Sequence, residues 1–106
     1  MSWEDQHART DIVHTVLTRA AVDPDSPDLF SEIPGLERLF GGPDGLLLAL
    51  RYRWNLHLDA KMEQALLEGK SAVEVYLELA SEQPALRAVL DAHHRRSNLT
   101  SRAMAG

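Results

Sequence analysis

Cysteine does not occur in these 106 residues, which excludes a disulfide framework, thiolate catalysis and any cysteine metal site. Long hydrophobic runs are missing as well. The longest wholly apolar stretch, Leu46–Leu50, falls far short of the ~18 residues a membrane-spanning helix needs. Nothing near the start reads as a secretory leader, so a cytoplasmic protein with no membrane partner is the expectation. The acidic stretch with Asp23, Asp25 and Asp28 lacks the turn glycine of a calcium loop, and Pro34 stands where the bidentate glutamate belongs. No serine, threonine or lysine stands beside a histidine in an arrangement that would make it a nucleophile. No internal repeat is present. The residues therefore imply no cofactor, and they weigh against an enzyme.

What is present is ordinary for a globular protein: 44% hydrophobic and 25% charged residues, enough chain for one domain with its own core. The formal charge of −5 is unevenly spread. Residues 1–83 hold seven basic and fifteen acidic side chains, while residues 84–106 hold four basic and one acidic. An acidic body argues against non-specific contact with nucleic acid or anionic lipid, because both depend on cationic side chains.

The chain is organised around Gly45–Glu68, which has no glycine or proline after its first residue. Between Arg51 and Glu63 apolar and polar residues alternate, as in a half-buried strand. Strands run about 5–6 residues, however, and the flanking segments are strong helix formers with no intervening turn signal. The expected element is one helix over 43–68. At about 100° per residue it carries two apolar stripes. Leu47, Trp54, Leu58, Met62 and Ala65 share one side; Ala49, Tyr52, Leu56, Ala60 and Leu67 share the other. Arg53, His57 and Lys61 lie along one edge between them. A helix apolar on two sides is normally packed on two sides. It is either central to a bundle or shared with a partner subunit.

Around it, a first helix over 3–21 is capped by Ser2 and turns Ile12, Val13, Val16, Leu17 and Ala20 inward. The stretch 22–28 breaks it with two prolines. Short helices are expected near 27–32 and 34–40, the second stopped by Gly41–Gly42. Ser71 and Glu74 form a capping box for a helix from Ala72, with Val73, Tyr76, Leu77 and Ala80 inward. Pro84 either kinks that helix or begins another, reaching Arg96 with Leu86, Val89, Leu90 and His93 inward. Residues 1–96 then form one domain, and 97–106, which lose apolar periodicity, form a flexible tail.

Three groups of side chains carry possible chemistry. Glu4, His7, Asp11 and His14 fall on one stripe of the first helix, at the spacing by which helical bundles present ligands to iron, manganese or zinc. That stripe lies opposite the apolar face, so it points to solvent. Arg53, His57 and Lys61 make a cationic edge suited to a small anion or to salt bridges with Glu37, Glu74 or Glu78. Arg87, His94, Arg95, Arg96 and Arg102 give the C-terminal segment its positive charge, which suits phosphate contact or the helix dipole. The stretch from Phe40 through Gly41, Gly42 and Pro43 to the leucine-rich 46–50 and Trp54 resembles the join between the DNA-binding domain and the next helix in TetR-type repressors. The helix-turn-helix that should precede it is replaced by the proline- and aspartate-rich 22–28.

These readings converge on an all-α bundle of five to six helices around the 43–68 helix. The expected function is a small non-enzymatic interaction or regulatory module that forms a homodimer or meets a protein partner. Its expected interface residues are Tyr52, Trp54, Leu56, Leu58 and Met62. The alternatives are a metal-binding protein using His7, His14, Glu4 and Asp11, and a nucleic-acid-linked regulator using Arg95 and Arg96 with their basic neighbours.

Overall fold

The computed structural model describes residues 2–105, with side chains described as far as Leu99. Five helices and no strand occur among the described residues: α1 (Trp3–Val22), α2 (Leu36–Phe40), α3 (Pro43–Glu68), α4 (Ala72–Glu82) and α5 (Pro84–Ala105). The long central helix has the bounds its sequence predicts, starting at Pro43 and ending on Gly69 in the left-handed region. Ser2 caps α1, its hydroxyl accepting from the Asp5 amide at 3.1 Å. The capping box of α4 is complete, with the Ser71 hydroxyl accepting from the Glu74 amide and the Glu74 carboxylate accepting from the Ser71 amide.

α1 packs on α5, and α3 packs on both α4 and α5, while the short α2 bridges α1 and α3. The core joins Ile12, Val16 and Ala20 of α1 to Leu46, Leu50 and Trp54 of α3 and to Leu79, Leu86 and Val89 from α4 and α5. The α2–α3 corner depends on Gly45, since a Cβ there would lie 1.6 Å from the Phe40 carbonyl oxygen. Glycine at this position lets the end of α2 sit directly on the first turn of α3.

The structure corrects four local expectations. Residues 27–32 form successive turns instead of a helix, although Leu29 is fully buried. The Arg19 guanidinium donates to the carbonyls of Asp28, Leu29 and Ser31 at 3.1, 3.3 and 2.7 Å, and so holds acceptors that a helix would use. The next helix starts at Leu36, after Gly35 at φ 83°, and not at Pro34. In α4 the buried side chains are Val75 and Leu79, while Val73, Tyr76 and Leu77 are exposed. The polar stripe of Glu74, Glu78, Ser81 and Glu82 centres the apolar face of that helix near Tyr76 and Ala80. Ion pairs from Lys61 and Lys70 to Glu78, and from Lys61 to Glu82, instead draw the polar edge toward α3 and roll Val75 and Leu79 inward. Finally, α5 continues through Ser97 to Ala105 rather than ending near Arg96. At the Pro84 junction, Gln83 leaves helical geometry (φ −126°, ψ 58°), so proline begins a separate helix.

The molecule is a slab of 47 × 45 × 24 Å. Its radius of gyration is 15.7 Å, against about 13 Å for a compact domain of this length. Its accessible surface is 7264 Å², against roughly 5,900 Å² for a monomer of this mass.

Candidate functional site

The two apolar stripes of α3 have opposite fates. The first enters the core: Trp54 is only 4% exposed, Leu47 and Ala65 are buried, and Leu58 packs half-buried against the cluster. The Trp54 ring meets Tyr76 edge-on at 5.7 Å, and the Arg87 guanidinium lies over it at 4.7 Å. The second stripe faces out of the slab. Tyr52 is 65% exposed, Leu56 52% and Leu67 90%, with Leu48 beside them at 70%. Of the five side chains expected at an interface, Trp54 is therefore a core residue, Leu58 and Met62 are half-buried, and Tyr52 and Leu56 stand open.

At the N-terminal half of α3 this open stripe forms one wall of a groove of about 540 Å³, within the ~300–1,000 Å³ range of binding clefts. Leu39, Phe40, Leu48 and Tyr52 supply apolar surface, and Arg9 and Arg51 line it. Arg9 is fixed there: its guanidinium donates to the Leu39 carbonyl at 2.7 Å and lies 4.3 Å over the Phe40 ring. A second depression shares Arg9, Phe40 and Ala49 with the first and adds Arg53. Three arginines and no carboxylate line the two together. On a chain with sixteen acidic and eleven basic residues, that is a local reversal of sign.

At the other end of α3 the charge is opposite. Lys61 is committed inward, 2.6 Å from Glu82 and 3.6 Å from Glu78. Lys70 bridges Glu68 and Glu78. The hydrogen bond that Lys61 donates to Glu82 raises the Lys61 pKa, the one that Lys70 donates to Glu78 raises that of Lys70, and the same bond lowers that of Glu78. Around this network Leu66, Leu67, Val73 and Leu77 are exposed, flanking the turn between α3 and α4.

The remaining sequence candidates are dispersed. Glu4, His7, Asp11 and His14 all face solvent on α1, as their wheel position predicts. His7 stacks on Trp3 with ring centroids 5.4 Å apart and comes within 3.9 Å of Asp11. Among the described residues no group of three or more such side chains is placed to hold a metal. Arg53 and His57 are exposed, and Glu78 alone of the expected acids meets the cationic edge, through Lys61. On α5, Arg87 pairs with Asp91 at 2.8 Å, and Arg95 reaches back to Asp25 at 3.2 Å. His94 and Arg96 lie exposed on the same helix, and the Arg102 side chain lies outside the described residues. Among the described residues no helix is long and apolar enough to cross a membrane.

Sequence reasoning missed Arg9, Arg51, Leu48 and Phe40 as members of one groove. The signal was present in α3: residues 45–58 contain Arg51 and Arg53 and no acid, while residues 59–68 contain three acids and one lysine. Comparison with protein-family models, with curated proteins and with solved structures gave no match.

Proposed function

We propose that the protein is a non-enzymatic helical interaction module that works as a homodimer through the outer face of α3. The observation that carries this reading is the open stripe of Tyr52, Leu56 and Leu67, opposite a stripe whose Leu47, Trp54 and Ala65 are buried. Exposed apolar side chains grouped on one face mark interaction sites in globular proteins. Tyr52 and Leu56 are the anchor side chains of that face, a large amphipathic ring beside an aliphatic one.

The test is Leu56→Asp. Leu56 stands outside the core, so the variant keeps wild-type helicity and melting while its mass in solution falls from about twice 11.8 kDa to 11.8 kDa. An unchanged mass would remove Leu56 from the interface; a wild-type monomer at every concentration would remove the dimer.

A further inference from the structure

The geometry points to a ligand for the crevice where α1, α2 and α3 meet: a small organic anion, a carboxylate carried on an apolar body. The residues of this site all belong to one chain, so it stands apart from the dimer reading.

Elsewhere on the chain cationic side chains are matched. Arg38 holds Asp5, Arg87 holds Asp91, Arg95 holds Asp25, and both lysines hold glutamates. Arg9 and Arg53 depart from that pattern. Neither has an ion pair among the described residues, yet both line one depression of about 160 Å³ that no carboxylate lines. Asp5, one turn before Arg9 on α1, is already engaged by Arg38 at 3.0 Å. Asp44 lines a different depression, together with Arg51 and His93, so the anion site rests on Arg9 and Arg53. Two like charges facing one depression repel each other, and an anion between them replaces that repulsion with attraction.

Arg9 is in place before any ligand arrives. Its Nη1 donates to the Leu39 carbonyl at 2.7 Å and its guanidinium lies 4.3 Å over the Phe40 ring, which leaves the Nε and Nη2 edge open. That planar edge matches the two oxygens of a carboxylate. A side chain already fixed also loses little freedom on binding. Away from the arginines the crevice is apolar. Phe40 and Ala49 are shared with the larger groove of about 540 Å³, whose wall continues through Leu39, Leu48 and Tyr52. A bare anion leaves that wall wet, and an uncharged apolar molecule leaves both guanidiniums unmatched. A molecule with both parts satisfies each, in the usual form of a small-molecule pocket, an apolar lining with a few placed polar groups.

Octanoate is the probe, titrated calorimetrically into the whole chain beside octanol and acetate. The expected result is one octanoate per chain, bound about tenfold or more tighter than either control. Arg53 is exposed and outside the core, so Arg53→Glu keeps wild-type helicity and melting. It should weaken octanoate by about tenfold or more and leave octanol unchanged. Arg53→Lys, which keeps the charge, should lose less. Absence of octanoate binding to the folded wild-type chain would overturn the assignment. Octanol bound as tightly as octanoate would overturn the anion, and acetate bound as tightly would overturn the apolar body. Full octanoate affinity in both Arg53→Glu and Arg9→Gln would move the ligand elsewhere and overturn the site. The solution mass of the same samples reports on the dimer separately, so either reading can fail alone.

Discussion

At the scale of single residues, neighbouring positions on α3 carry opposite duties. Trp54 sits in the core between Tyr76 and the Arg87 guanidinium, and Trp54→Ala should cost about 3–5 kcal/mol in chemical denaturation. Gly45 is as constrained by backbone: the Phe40 carbonyl oxygen occupies the space of any Cβ. Gly45→Ala should destabilise by about 1–3 kcal/mol or more and open the corner that positions Phe40 and Arg9. The histidines of α1 behave in the reverse way. His14 is exposed, so His14→Ala should shift unfolding by no more than about 0.5 kcal/mol. A large loss there would mean that the polar stripe of α1 is held by something other than water.

At the scale of helices, the ends marked by a local cap were legible in the sequence, the start of α2 and the end of α5 were not, and rotations were legible only in part. Ser2, Pro43, Gly69 and the Ser71–Glu74 box mark helix ends through local hydrogen bonds and backbone preference, and each stands where expected. The inward face of α1 followed from Ile12, Val16 and Ala20, because that helix has one apolar stripe. α4 has an apolar stripe too, but ion pairs from Lys61 and Lys70 to its polar edge roll it off that stripe toward Val75 and Leu79, which no local pattern announces. The turns at 27–32 likewise depend on Arg19, which is distant in sequence and adjacent in space. The α3–α4 network also sets a pH dependence. Glu78 is held below its ordinary value of 4.5 by Lys70, so its contribution is complete above that value and is lost as pH falls through the lowered one. Lys61 and Lys70 are raised above 10.5, so theirs is complete below that and is lost as pH rises through the raised values. Glu78→Gln should therefore lower the melting temperature at neutral pH, with the gap to wild type closing in acid. A gap that persists at low pH would assign the effect to packing.

At the scale of the whole molecule, α3 has the two-sided character its sequence predicts, but one side alone is satisfied within the chain. The all-α class and the central helix were readable because a 26-residue helix with two apolar stripes imposes them. The groove was not, because Arg9 and Phe40 come from α1 and α2 and meet Arg51 and Tyr52 only after folding. The fold is 24 Å thick along its short axis, and Tyr52, Leu56 and Leu67 of α3 stand exposed on it. The most direct test is the solution mass of the wild-type chain by light scattering after size exclusion, over a range of concentrations. The account predicts a mass near twice 11.8 kDa that falls toward the monomer on dilution. A mass of 11.8 kDa throughout would contradict it.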